Sequence, residues 1–419
     1  MTTIAVIGTL DTKGPELAFL CGEIVRRGVQ PLVIDTSLFA HDAAAPDVTA
    51  DEVAERAGTT LARLRDANDR GDAVRAMGTG ARVVVAGLHA RGKIDGAVAA
   101  GGSGNTSIAA SAMHGLPIGV PKLIVSTMAA GDVSAYVGTS DITLMHSVSD
   151  IEGLNRLSRT ILGNAAAAIC GMAAPRPAPR TAPPPAGATV ALTMFGVTTA
   201  GAKHIRALLE ARGFEVVVFH AVGAGGRAME RLIGEGMIAG VIDLTTTEIA
   251  DEVVGGVLGA GPDRLRAAVA RGIPQVVAPG ALDMVNFGPR SSIPARFEHR
   301  HLFAHNPQVT LMRTTPEENV RCAQFIARQL ADADPESTTV CLPLRGVSAL
   351  DAEGERFFDL DADQHLFDEL TRLLGHRLPI VRVEAHINDA AFADEVVSRF
   401  LGHWSRDHAD AQTPPEAVA

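Results

Sequence analysis

With 419 residues, 47% of them apolar, the chain is long enough for two or three domains and can bury its cores without disulfide or metal staples. A formal net charge of −11 excludes a general nucleic-acid coat, because a phosphate backbone demands a basic surface. One Trp and one Tyr leave no stacking platform for single-stranded bases, and no run of about 18 apolar residues is present to span a membrane.

Residues 4–8 read as a short buried strand and 9–14 as a turn. Pro15 suits the first turn of a helix whose apolar positions Leu17, Leu20, Ile24 and Val25 keep helical spacing, and Gly28 closes it before a strand at 29–35. Residues 94–100 form the next strand, followed by a glycine-rich turn and a helix over 107–114. A strand at 120–127 comes next, and Thr143-Leu-Met precedes a helix ending near Leu162. Six prolines within 173–187 forbid a regular helix there and favour an extended spacer.

The pattern then restarts, with a strand at 189–195, a turn at 196–201, a helix at 202–212, a cap at Gly213 and a strand at 214–220. Residues 238–244 match 94–100, and 273–280 match 120–127. Thr310-Leu-Met, before a helix ending near Leu330, matches Thr143-Leu-Met. Strands at 339–344 and 380–384 and two helices complete the second part. Such short β–α–β spacing implies parallel strands with right-handed crossovers. The predicted fold class is α/β: two doubly wound, Rossmann-like parallel sheets arising from an internal duplication. They occupy 1–172 and 188–404, joined by a Pro-rich linker at 173–187 and followed by a flexible tail at 405–419.

The cysteines Cys21, Cys170, Cys322 and Cys341 are scattered and form no CxxC pair, which fits free thiols in a reducing cytoplasm. The N-terminal run MTTIAVIGTLDTKG lacks the basic flank and apolar stretch of a leader, so a cytoplasmic protein is expected.

In doubly wound folds ligands sit beyond the carboxyl ends of the strands, and here those positions are rich in Gly, Ser, Thr and Asp. Gly101, Gly102, Ser103, Gly104 and Thr106 follow one strand; such a turn lets backbone amides approach an anion at a helix N-terminus. It would also serve as a tight turn needing glycine for packing alone. Gly8-Thr-Leu-Asp-Thr-Lys-Gly14 is not a Walker A loop, but Lys13 is one of only four lysines and could meet a phosphate or simply be solvated. Asp35 closes the second strand, where it could accept from a ribose hydroxyl or shape a turn. Ser126, Thr127 and Gly131, with 138–141, complete a polar rim.

In the second part, residues 223–228 fit GxGxxA with Asp243 beyond, a dinucleotide fingerprint on paper, although it follows the second strand rather than the first. Asp283, Asn286, His305 and Arg313 are candidates for holding a small carboxylate and moving protons. His299, His301 and His305 lie close together but lack a demanding metal-ligand spacing, so no metal site is predicted. Residues 359–363 look like an EF-hand start without its Gly and Glu, and Asp361 with Gln364 reads as a capping box.

The segments GTLDTKG (8–14), GGSGNT (101–106), YVGTSDITLM (136–145), SVSDIEGLN (147–155), GALDMVNFG (280–288), HNPQVTLMRTT (305–315) and HINDAAFAD (386–394) resemble the Tm-1-like ATP-binding, or UPF0261, family over nearly the whole chain. The resemblance implies two α/β domains, ATP binding and a homodimer, without a settled reaction. It would place the phosphates on Gly101, Gly102, Ser103, Gly104 and Thr106, with Thr9, Asp11, Thr12 and Lys13 completing the site and Asp35 near the sugar. Mg²⁺ would be held mainly by phosphate oxygens, with one aspartate as a candidate further ligand. The alternative is a catabolic enzyme acting on a small carboxylate or sugar acid in the interdomain cleft, using Asp283, Asn286, His305 and Arg313.

Overall fold

A computed structural model describes residues 1–174 and 187–407. The chain divides into two compact units, residues 1–181 and 182–419. The first holds five strands: β1 (Thr3–Gly8), β2 (Gln30–Asp35), β3 (Gly96–Gly101), β4 (Lys122–Ser126) and β5 (Thr143–His146). They form one sheet in the order β2-β1-β3-β4-β5, every pair parallel.

These strands are apolar nearly throughout because both faces are covered. Alternate residues of β1 feed separate cores. Ala5 and Ile7 pack with Val53, Met77, Ala81 and Ile108, whereas Ile4 and Val6 pack with Leu17, Leu20, Leu162 and Ile169. Each such fully buried side chain stabilises the fold by roughly 1.5–3 kcal/mol relative to exposure. The order reverses direction between β2 and β3, so a crevice opens beyond the C-terminal end of β1.

The second unit contains β6 (Thr189–Met194), β7 (Glu215–His220), β8 (Gly240–Thr245), β9 (Gln275–Gly280), β10 (Met284–Phe287), β11 (Leu302–Asn306), β12 (Val309–Arg313), β13 (Thr338–Pro343) and β14 (Ile380–Val383). Its six-stranded sheet, β14-β13-β9-β8-β6-β7, is parallel and reproduces the order of the first sheet as β7-β6-β8-β9-β13. The two-unit α/β architecture is therefore as expected.

The matched Thr-Leu-Met segments, however, are not equivalent. Residues 143–145 form β5 of the parallel sheet, whereas 310–312 lie in β12, the centre of a separate antiparallel sheet, β10-β12-β11. The reason is local. Only Pro307 and Gln308 separate β11 from β12, and Asn306 Oδ1 accepts from Gln308 N at 2.8 Å. A two-residue connection forces a hairpin, since a parallel crossover needs about a dozen residues.

Several boundaries also move. The helix after β5 runs Arg156–Ala173 rather than ending near Leu162, and the last helix, Ala390–Asp407, takes in 405–407 from the expected tail. The rest of that tail and linker residues 175–186 lie outside the described residues. The helix Leu360–Leu374 is capped by Asp359, whose carboxylate accepts from Ala362 N at 3.1 Å, and not by Asp361.

Candidate functional site

The crevice beyond β1 is a cavity of about 600 Å³ within the first unit. That volume suits a nucleotide-sized ligand. Two segments make its polar floor, Thr9 to Lys13 and Gly102 to Asn105. Leu38, Leu64, Val74, Met77 and Ile108 make an apolar wall.

Neither floor segment is the open loop its sequence suggests. Residues 10–13 are one helical turn, broken by non-helical backbone at Lys13 before the helix continues to Val25. The glycine-rich turn is a single residue, Gly102, because the helix begins at Ser103 and runs to Met113. Both helices therefore direct their first turns into the cavity. The remaining longer helices of this unit start on a side-chain cap: Thr49, Thr60, Asp69 or Asn155. Thr9 and Gly102 supply none, but Leu10 N and Asp11 N donate to Asp35 Oδ1 at 3.4 Å and Ser37 Oγ at 3.0 Å. Of the two floor helices, only Ser103–Met113 keeps its first amides without an acceptor among the described residues. The first amides of a helix have no intrahelical acceptor, and together with the dipole they favour an anion.

Of the predicted residues, Thr9, Asp11, Thr12, Lys13, Gly102, Ser103 and Gly104 line this cavity. The Thr9 and Thr12 hydroxyls are bonded to each other at 2.7 Å, and Lys13 Nζ reaches Glu152 at 3.1 Å. Asp11 Oδ2 accepts from Leu38 N and Phe39 N at 3.3 and 3.2 Å. Thr106 and Ser126 stand behind the floor, fully buried, with hydroxyls 2.6 Å apart. Thr106 also donates to Gly102 O at 2.9 Å, so this pair holds the turn rather than facing a ligand.

Gly101 ends β3, where a Cβ would lie 2.7 Å from Asn105 Cβ. Gly131 is exposed, outside the cavity lining. Thr127 lines a smaller polar recess of about 360 Å³ with His146, Ser147, Val148, Ser149 and Asp150. Asp35 is also outside the cavity. It is 3% exposed; Oδ2 is bonded to His41 Nε2 and Oδ1 accepts from Ser37 N, both at 2.9 Å, and Oδ1 also accepts from Leu10 N at 3.4 Å, at the start of the helix Leu10–Val25. It fixes the loop after β2 and brings Thr36, not itself, to the cavity wall.

Sequence reasoning missed Thr36, Phe39, Arg65, Asn68, Arg70 and Asn105. Arg65 and Arg70 sit at the end of one helix, Leu61–Ala67, and the start of the next, Arg70–Ala90, in a stretch without any motif. A Cβ on Gly104 would lie 3.7 Å from Arg70 Nη2, which places that guanidinium over the first turn of the helix Ser103–Met113. Among the described residues neither arginine has an ion-pair partner. Asp11 Oδ1, Thr36 Oγ1 and Asn105 Oδ1 are buried without hydrogen-bond partners, and all three residues line the cavity.

The second unit has filled the corresponding places with its own side chains. The GxGxxA segment opens the helix Ala224–Gly234, but Glu248 Oε1 accepts from Gly223 N and Gly226 N at 2.6 and 3.0 Å. A Cβ on Gly226 would collide with that carboxylate. Asp243 is paired with the buried guanidinium of Arg264, 2.7 Å from Nη2. The anion position of the paper fingerprint is thus occupied from within, and a dinucleotide has no place there.

The four candidates for carboxylate chemistry do not converge. Arg313, 5% exposed, lies 2.8 Å from Asp363 and 3.6 Å from Asp351, and Asp283 accepts from Ser348 Oγ at 2.8 Å in the same buried cluster. Asn286 instead donates to Asp251 Oδ2 at 2.7 Å. His305 is exposed on β11, edge-on to Phe303, and His301 stands edge-on to Phe357. Among the described residues no group of three or more His, Cys, Asp or Glu side chains is disposed to hold a metal ion.

Burial pushes Asp251 up to about 7 despite its hydrogen bonds from Asn286 and Leu258. Burial likewise raises Asp283, Asp351 and Asp363, with Arg313 pulling the other way. An unfolded aspartate titrates near 4, so between about pH 4 and 7 the native unit binds more protons than the unfolded chain. The contribution of these four carboxyls to stability then falls as pH rises through that window. Trp404, the sole tryptophan, packs on Phe214 and Phe400 and reports on this unit. Its fluorescence midpoint in urea is expected to be lower at pH 8 than at pH 5, and a flat or rising midpoint contradicts protonated native carboxyls.

With this geometry in view, residues 2–178 match the N-terminal domain and 187–404 the C-terminal domain described as uncharacterised protein family UPF0261. The chain belongs to the UPF0261 family. It is 47% identical over 400 residues to a UPF0261 protein of Clostridium tetani, covering 95% of this chain and 98% of that one. It is also 41% identical to the tomato ToMV susceptible protein tm-1(GCR26), covering 97% of this chain but 56% of the tomato protein. Among solved structures, an S. aureus MnaA–UDP complex aligns over 91% of this chain and all of that one, with 10% identity and a TM-score of 0.24, a likeness too slight to bear on function. Among the described residues of this UPF0261 protein no helix is long and apolar enough to cross a membrane.

Proposed function

We propose that the first unit of this UPF0261 protein is an ATP-binding domain whose phosphates lie between the first turns of the helices Leu10–Val25 and Ser103–Met113. The observation that carries this reading is the uncapped N-terminus of the helix Ser103–Met113, opening into the cavity beside Arg65 and Arg70, neither of which has an ion-pair partner among the described residues. Three polyanion-binding features coincide there: the free amides of Ser103, Gly104 and Asn105, the helix dipoles and guanidinium forks. The apolar wall offers the adenine a surface, with Phe39, 63% exposed, at the rim. Mg²⁺ would be held mainly by the phosphate oxygens, with Asp11 as the protein ligand, since its Oδ1 is a hard oxygen without a partner on a residue lining the cavity; such an ion would neutralise phosphate charge. The four free cysteines agree with a cytoplasmic setting.

Calorimetric titration with ATP, with and without Mg²⁺, tests the reading directly. Wild type is expected to bind, and Arg70→Gln to weaken binding about tenfold, the usual loss for one hydrogen bond to a charged group. No heat at millimolar ATP in either condition overturns the assignment.

A further inference from the structure

We infer that Asn105 is a specificity-determining residue of this cavity: its amide oxygen accepts from a sugar hydroxyl, so that the site selects a nucleoside or sugar phosphate over bare polyphosphate. The inference rests on the proposed nucleotide site and concerns what that site recognises besides phosphate.

Asn105 lies in the first turn of the helix Ser103–Met113, three residues after the Gly102 cap, and is 6% exposed. Its Nδ2 donates to Ala100 O at 2.7 Å. That bond fixes the orientation of the amide, because the flipped amide would set two oxygens against each other. Oδ1 is therefore the free end, and it has no partner although it is buried. The side chain is built into the turn: Gly101 lacks a Cβ where Asn105 Cβ stands 2.7 Å away.

A carbonyl oxygen can only accept. Phosphate at neutral pH offers acceptors too, so the group that satisfies Asn105 cannot be the phosphate bound to the neighbouring amides. It must be a donor carried by the same ligand. The hydroxyls of a sugar lie next to the phosphate, whereas the amino group of a base lies at the far end, toward the apolar wall of Leu38, Leu64 and Met77. Asp35, the strand-end carboxylate otherwise placed for this task, is withdrawn into its bonds with His41 and Ser37.

The full-length protein is titrated with ATP, 2′-deoxy-ATP, 3′-deoxy-ATP and inorganic triphosphate, as wild type and as Asn105→Ala, with far-UV circular dichroism as the folding check. Wild type is expected to bind ATP at least tenfold more tightly than one of the deoxy analogues and than triphosphate. In Asn105→Ala, ATP affinity is expected to fall to that of the deoxy analogue, whose own affinity stays unchanged. Equal affinity of wild type for ATP and both deoxy analogues overturns the inference without need of the variant. Undiminished discrimination in folded Asn105→Ala does so as well. If ATP itself fails to bind wild type, the nucleotide reading falls first, and the hydroxyl reading with it.

Discussion

Arg264→Met is expected to unfold the second unit at markedly lower urea while leaving ligand binding by the first unit intact. The Arg264 side chain is 1% exposed and carries three carboxylates: Asp243, Glu248 at 2.8 Å and Glu230 at 3.3 Å. Burial raises Glu230, whereas the ring of negative charge holds Arg264 well above its ordinary value. Methionine fills much of the volume but leaves Asp243 and Glu248 as buried charges without a counterion. Removing one partner of a buried pair costs about 3–5 kcal/mol, a large share of the roughly 5–15 kcal/mol that holds a domain together. Arg264→Lys is expected to recover only part of the loss, because one ammonium cannot reproduce the guanidinium fork. Trp404 fluorescence follows the transition, and an unmoved midpoint in Arg264→Met would show that the network contributes no net stability.

The second large effect is at Gly102. Its backbone is extended, with φ −81° and ψ −166°, so no glycine-only conformation is required. An added Cβ would meet only Thr127 Oγ1, at 3.8 Å, an ordinary contact. Gly102→Ala is therefore expected to fold normally and to keep ATP affinity within a few-fold. Gly102→Val adds two methyl groups beside the amides of Ser103, Gly104 and Asn105, where the phosphates are proposed to lie. Losing two charge-assisted hydrogen bonds corresponds to about a hundredfold or more in affinity. Calorimetry on both variants separates the steric effect from loss of fold. Wild-type affinity in Gly102→Val would move the phosphates away from this turn.

Much of this architecture is legible in one dimension. Buried parallel strands are continuous apolar runs, and Gly28 and Gly213 both adopt positive φ after their helices, as their positions suggest. The resemblance of GTLDTKG and GGSGNT to a known family led to the cavity floor, because both segments follow strands whose C-terminal ends are neighbours. The errors have a common origin. Asp35, Ser126 and Thr106 have the right chemistry at the right strand ends, yet their oxygens are bonded within the protein. The GxGxxA segment has a suitable helix N-terminus, but Glu248, twenty-two residues beyond Gly226, has taken the anion's place.

What the sequence by itself determined was therefore the class of fold, its twofold repetition and the strand ends whose turns floor the cavity. Hydrophobic periodicity and turn chemistry act over a few residues and can be read locally. Only the tertiary structure decided which polar groups remain free. Arg70 reaches Gly104 from a separate helix, Glu248 closes a turn in the second unit, and Asn105 is left with one unpaired oxygen. Whether a buried donor or acceptor is satisfied depends on partners brought together from distant parts of the chain, and that unmet capacity is what a ligand can use.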